Sequence, residues 1–288
     1  MNHIQQKFDV SERHACRAVG QHRSVQRREP VVRDDETKLV RRMLELVRVH
    51  PRFGYRRICR LLRREHFVVN AKRVYRLWRQ EGLKVPRRVR QKRGRGTSKN
   101  ACHIQRSQGK DDVWAWDFVF DYTTNGTQLK WLTIVDEFTR ECVALNVSRS
   151  ITADDVIDKL CELFAVRGVP NSVRSDNGPE FIAKAIETWM KQLGISALYI
   201  EPGSPWENGY SESFNSKLRD EFLNMEEFES IRDARELTAR FRRLYNEDRP
   251  HSALQYQTPA EFAARQPSAR VRQTGAAPTT FTVTSASG

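Results

Sequence analysis

Three carboxylates stand where carboxylates are uncommon. Asp117 lies inside Val113-Trp-Ala-Trp-Asp-Phe-Val-Phe120, whose aromatic and β-branched content predicts a buried strand, a place where an acid must be desolvated. Asp176 follows the 169–173 run and opens Ser175-Asp-Asn-Gly-Pro-Glu-Phe181, the turn chemistry of a strand passing into a helix. Glu212 comes after thirty-five intervening residues, in Pro205-Trp-Glu-Asn-Gly-Tyr-Ser-Glu-Ser-Phe-Asn-Ser-Lys-Leu-Arg219, read as a helix continuing to about Asn224. Spacing alone carries no weight, because 36 of 288 residues are acidic and any offset from one acid meets another about one time in eight. Setting does carry weight. Acids at a strand centre, a strand end and a helix face make a hard, oxygen-rich site suited to magnesium or manganese. On the helix, Asn208, Asn215 and Arg219 stand at i−4, i+3 and i+7 from Glu212, so two amides and a guanidinium share its face, either to hold a phosphate-bearing strand or merely to solvate the helix.

The elements that must position these groups follow from periodicity. Strands are expected near 113–120, 129–135 and 141–147, joined by a hairpin at Asn125-Gly126 and a tighter turn over 137–140. A helix follows at 152–167, capped by Thr152 and stopped by Gly168, then strand 172–174, helix 179–193, strand 196–199 and the long helix from about 207. That order predicts an α/β fold, a five-stranded mixed sheet with helices on both faces. Further on, 231–245 is amphipathic, 246–251 turns, and a short helix is capped by Thr258 with Pro259 at its first position. Residues 266–288, rich in Ser, Thr, Ala and Gly without an acid, read as a disordered tail.

Charge divides the chain. Residues 1–110 hold 31 Lys and Arg against 9 Asp and Glu, a net of +22, and residues 111–288 hold 19 against 27, a net of −8. An Arg-rich segment of that charge repels itself unless a polyanion screens it, and the guanidinium fork suits phosphates and guanine edges, so nucleic acid is the expected partner. Residues 11–28 form a weak basic helical pattern in which Ser24 is a candidate cap. Helical spacing then places Val40, Met43, Leu44 and Val47 in 37–50, and Ile58, Leu61 and Leu62 in 55–65. Asn70 caps a third helix with Val74, Leu77 and Trp78 inside and Lys72, Arg73, Arg76 and Arg79 outside. Three short helices with a basic third describe an all-α helix-turn-helix region whose last helix reads DNA; a plain three-helix bundle with a charged surface is the bland alternative. Residues 84–110, with ten Lys and Arg, no acid and no apolar periodicity, read as a flexible basic linker. The expected division is therefore 1–34, 35–83, 84–110, 111–265 and 266–288.

The strings WAWDF, VRSDNGPEF and EPGSPWENGYSESFNSKLRDE resemble the catalytic core of the transposases of the insertion sequence three family, relatives of retroviral integrases, and the resemblance runs over about 11–262. Ser211 departs from it, standing where Ala or Cys is expected. The resemblance implies a ribonuclease-H-like core and a DDE-type polynucleotidyl transferase that cleaves and joins DNA at the ends of a mobile element. It implies two magnesium (or manganese) ions per active site, with Asp117 bridging them, Asp176 binding one and Glu212 the other. It also implies terminal-repeat and target DNA as partners, a homo-oligomer on DNA, and an upstream frame that supplies a partner protein or fusion. Two rival readings are a non-catalytic DNA-binding regulator of the element and a ribonuclease-H-like nuclease without strand transfer.

Other features read as structural. Cys16, Cys59, Cys102, Cys142 and Cys161 show no C-x-x-C pair and suggest neither disulfides nor zinc. No apolar run of about 18 residues and no signal-peptide core occurs, so a cytoplasmic protein, nucleoid-associated when bound to DNA and without membrane contact, is expected. Asp121 is an outer-shell candidate on its even offset from Asp117 alone. Asp136 reads as a turn former, His251 as a residue that ties down a loop, and Trp114, Trp116 and Trp131 as core.

Overall fold

The computed structural model describes residues 2–27, 34–85, 107–175, 180–199 and 209–267. The expected tail and most of the expected linker lie outside them, as do Cys102, Asp176 and Asn208. The chain divides into two compact units, Met1–Val49 and His50–Gly288.

The first unit is helical: α1 (Asn2–Phe8), α2 (Glu12–Val19), α3 (Arg23–Gln26) and α4 (Glu36–Val49). Ser11 caps α2 by accepting from His14 N, and Gly20 ends it in the left-handed conformation at φ 69°. Ser24 does not cap α3. His22 does, because its ring nitrogen reaches Ser24 N from an extended backbone while Ser24 already lies inside the turn. Helix α4 buries Leu39, Met43 and Leu46.

The second unit begins with α5 (Tyr55–Arg64) and α6 (Ala71–Gln80), which pack on each other through Ile58, Leu61, Leu62, Val74, Leu77 and Trp78. Asn70 caps α6, its side chain accepting from Arg73 N at 2.7 Å. Lys72, Arg76 and Arg79 are exposed, whereas Arg73 is half-buried, since it sits beside Val74 at the edge of the packed face.

The sheet follows: β1 (Val113–Tyr122), β2 (Gln128–Asp136), β3 (Cys142–Ser148), β4 (Ser172–Ser175) and β5 (Ser196–Tyr199), in the order β3-β2-β1-β4-β5. The first three pair antiparallel, and β4 and β5 run parallel to β1, so the sheet is mixed. Asn125 closes the first hairpin, accepting from Thr127 N, and Gly126 supplies the positive φ. Asp136 makes the tighter turn, accepting from Phe138 N at 2.8 Å and Thr139 N at 2.9 Å. Helices α7 (Ala153–Arg167) and α8 (Glu180–Gln192) cover one face, where Trp114, Trp116, Leu132 and Ile134 meet Val156, Leu160, Ile186 and Met190. Helices α9 (Gly209–Leu218) and α10 (Ile231–Arg243) cover the other, where Val119, Leu129 and Trp131 meet Phe214, Leu218, Phe241 and Tyr245. Thr258 caps α11 (Pro259–Ala263) through a capping box. This is the ribonuclease-H-like arrangement, with helices on both faces of a five-stranded sheet. The three tryptophans are core, and the described cysteines are free thiols.

Helix α9 does not run on as α-helix. A π-helical turn, Arg219–Leu223, takes over after Leu218, and a second one, Leu244–Asp248, follows α10. Such turns shift the face of every later residue and gather at functional sites.

Candidate active site

Pleating sends Asp117, Val119 and Asp121 to the α9 side of β1, and Trp114 and Trp116 to the opposite core. Asp117 is half-buried, and each of its oxygens has a donor. Phe118 N donates to Oδ1 at 2.7 Å, and Asn215 Nδ2 donates to Oδ2 at 2.6 Å. Thr133, directly opposite Asp117 in the β1–β2 register, completes the seat: its hydroxyl lies 3.1 Å from the Asp117 carbonyl oxygen and 3.3 Å from Asn215 Oδ1.

Helix α9 is oriented by its apolar side, where Ser211, Phe214 and Leu218 are buried. Glu212 is half-buried in the first turn, three residues before Asn215. Residues at that offset have Cβ atoms about 5–6 Å apart, so the contact of Asn215 with Asp117 also brings Glu212 to that end of β1. Asn215 therefore spends its amide on Asp117 within the protein. Arg219 is exposed, with Nη2 3.4 Å from the Phe120 carbonyl oxygen, and it is the first residue of the π turn. Asp121 is half-buried, and its Oδ1 accepts from Tyr122 N at 2.9 Å.

Strand β4 approaches from the other side. Arg174 pairs across from Ala115 and makes a buried ion pair with Glu137 at 2.7 Å. Burial pushes the carboxyl of Glu137 up, against the pull of Arg174. Burial likewise lifts Asp136 to about 6, against its backbone donors Thr139, Asp111 and Phe138. Among the described residues no group of three or more His, Cys, Asp or Glu side chains is gathered for a metal. The donor set that is described fits a hard cation, since Asp117 and Glu212 are carboxylates and the hydrogen bonds to Asp117 leave lone pairs on both of its oxygens.

Sequence reasoning missed Thr133 and Glu221. Thr133 has no local signal, because only the strand register puts it opposite Asp117. Glu221 accepts from Arg249 Nε and Nη2, both at 2.6 Å, and from Arg57 Nη1 at 3.0 Å, so it ties α5 and the loop after α10 to the π turn that follows α9. Beside it, Arg52 pairs with Asp220, and Arg64 pairs with Glu261 at 2.5 Å. His251 is buried, and its backbone closes the loop: its N–H donates to Gln257 O at 2.9 Å and its carbonyl accepts from Leu254 N and Tyr256 N.

Known proteins resemble this chain along most of its length. Models described as integrase core domain match residues 107–205 and 193–259, and one described as HTH-like domain matches 33–92. The 31.7 kDa protein of insertion element IS407 from Burkholderia multivorans is 41% identical over 286 residues, covering 98% of this chain and 99% of the relative. The 39.2 kDa protein of insertion element IS476 from Xanthomonas euvesicatoria is 44% identical over 255 residues, 88% of this chain and 73% of the relative. Transposase InsD of insertion element IS2 from Escherichia coli is 30% identical over 246 residues, 79% of each chain. Among solved structures, the HTLV-2 integrase catalytic core domain in complex with magnesium aligns at 14% identity with a TM-score of 0.42, over 55% of this chain and 99% of that one. No helix among the described residues is long and apolar enough to cross a membrane. With an integrase core behind an HTH-like domain and insertion-element relatives along nearly its whole length, this chain belongs to the insertion sequence three family of DNA transposases.

Proposed function

We propose that this transposase is a DDE-type polynucleotidyl transferase that cleaves DNA at the ends of its element and joins them to a target, with Asp117, Asp176 and Glu212 as its catalytic carboxylates. The observation that carries the reading is the 2.6 Å hydrogen bond from Asn215 to Asp117, which seats the helix of Glu212 against the strand of Asp117. The strand register supports Asp176 as the third acid. Ala115 stands opposite Arg174, and each precedes an acid of the set by two residues.

The three carboxylates would hold two magnesium or manganese ions, which when bound polarise the phosphate and activate the attacking oxygen. The protein's own part is positioning. Asn215 and Phe118 N orient the Asp117 carboxylate, and Thr133 locks Asn215 against the strand. Arg219, exposed beyond Glu212, would meet a phosphate, and Asn208, outside the described residues, would be a further strand contact. Lys72, Arg76 and Arg79 on the outer side of α6 would read the element end, with half-buried Arg73 at the margin. We assign residues 35–83 to end recognition, 84–110 to a basic tether along the backbone, and 111–265 to catalysis. Terminal-repeat and target DNA would be the partners of a homo-oligomer acting in the bacterial cytoplasm, and the upstream frame would supply a further DNA-binding segment.

The test is incubation of the full chain with labelled element ends and magnesium, with and without the upstream protein, resolving hydrolysed from joined products. Asp117→Asn, Asp176→Asn and Glu212→Gln should each abolish both products while end binding persists. Turnover by the wild type in excess chelator would rule the reading out.

A further inference from the structure

Helix α9 carries a second polar face. Tyr210, Ser213 and Lys217 are spaced i, i+3 and i+7, and at about 100° per residue they lie roughly opposite Glu212 and Asn215. Lys217 Nζ donates to Ser213 O at 2.8 Å and to Ser213 Oγ at 2.5 Å. The Arg140 guanidinium sits 3.9 Å over the Tyr210 ring, held by a turn in which Arg140 takes φ 63°. Arg249 and Arg57 lie close enough to act on the charge of Lys217, and all of these cations act on His251.

The charges here do not balance. Arg57, Arg140, Lys217 and Arg249 are four cations, and the carboxylate among them, Glu221, is already taken by three hydrogen bonds from Arg249 and Arg57. Of the other acids, Asp220 is taken by Arg52, and Glu137, paired with Arg174, acts with Asp136 on Arg140 only through space. Lys217 and Arg140 are half-buried and form no ion pair among the described residues, their contacts being a serine and an aromatic ring. Arg249 Nη1 and His251 Nδ1 are buried without a hydrogen-bond partner among the described residues. Cations gathered away from water without counter-charge are costly until an anion completes them.

The geometry points to a second nucleic-acid site on this face of α9, a recess whose half-buried Arg140 and Lys217 meet a phosphodiester of DNA while the buried Arg249 supplies positive charge behind them. It rests on the transposase reading and deepens it, placing one strand on each side of the catalytic helix. The local field is consistent with it. Burial, then Arg249, lowers the Lys217 amine to about 8, and burial with Arg249, Lys217, Arg140 and Arg57 pushes the His251 imidazole to about 3.

The test is the salt dependence of DNA binding by the full chain, on an element-end duplex and on an unrelated duplex, for wild type, Lys217→Gln, Lys217→Arg and Arg140→Gln. Lys217→Gln should lower the slope of log K against log salt by about 0.9, and Lys217→Arg should restore it. A fall on the end duplex alone assigns the recess to the element end, and a fall on the unrelated duplex alone assigns it to target DNA. Acylation of Lys217 in the wild type, with and without duplex, gives a measurement that needs no variant, and DNA should protect the amine. Unchanged slopes in both neutral variants, or labelling that DNA does not slow, would overturn the recess. Magnesium-dependent cleavage by the wild type, run alongside, separates the two ideas. Cleavage with unchanged slopes removes only the recess, and no cleavage under any condition removes the catalytic reading.

Discussion

Replacing Glu221 by Gln should cost this protein about 3–5 kcal/mol of stability, the range for removing one partner of a buried ion pair. Gln keeps the shape, so no cavity adds to the loss. What disappears is the charge opposite Arg249, whose side chain is 1% exposed and donates twice to the carboxylate at 2.6 Å, with Arg57 donating a third time at 3.0 Å. The amide also turns an NH₂ toward one of those donors. Against a domain stability of about 5–15 kcal/mol this is a large fraction. With a urea m-value of about 2 kcal/mol/M, the midpoint should move down by about 1.5–2.5 M. The double variant Glu221→Gln/Arg249→Met should recover much of the loss, since a neutral pair of similar volume no longer strands a charge. The effect has a pH signature. Burial raises the Glu221 carboxyl, but the hydrogen bonds and charges of Arg249 and Arg57 outweigh it and hold the group below its ordinary 4.5. The stabilisation is therefore present above that value and is lost as pH falls through the folded pKa, so wild type and variant should converge in acid. A loss under 1 kcal/mol at pH 7 would refute the argument.

Three further outcomes follow from other contacts. Asn215→Ala should lower cleavage about 10–100-fold or raise the magnesium requirement by a similar factor while end binding holds, and unchanged single-turnover rates at limiting magnesium would remove its positioning role. His251, buried with its pKa pushed to about 3 by desolvation and then by Arg249 and its cationic neighbours, is fully stabilising above about 6.5 and loses that contribution as pH falls. Between pH 7 and 5 the wild type should lose about 2 kcal/mol from this group, a decline that urea titrations of His251→Gln should not show. A fragment starting at Asp111 should be less stable, by about 2 kcal/mol or more, than one starting at His50, because it leaves Asp220, Glu221 and Glu261 without Arg52, Arg57 and Arg64. Equal urea midpoints would show that α5 does not support the core.

Much of the fold is legible along the chain because its signals are local. Aromatic and β-branched content sets β1, Asn70 and Thr258 cap helices three residues from the amides they hold, and Asp136 turns the chain within three residues. The same locality explains two errors. Ser24 and His22 are both polar candidates for one helix start, and only the backbone angles choose between them. Arg73 has the sequence of an outward residue, yet its burial depends on what packs beside α6.

The sequence by itself determined which side chains are available for chemistry, since Asp117 in an apolar strand and Glu212 in a polar helix are visible without coordinates. Tertiary structure alone decided which groups meet. Asn215 reaches Asp117 across 98 residues, Arg57 reaches Glu221 across 164, and Thr133 faces Asp117 through a strand register. The π turn over Arg219–Leu223 re-aims the residues within and after it, so a helical wheel drawn from Glu212 misplaces Glu221. Charge pairing and register are properties of two segments at once, each acceptable to the chain with many partners until packing selects one.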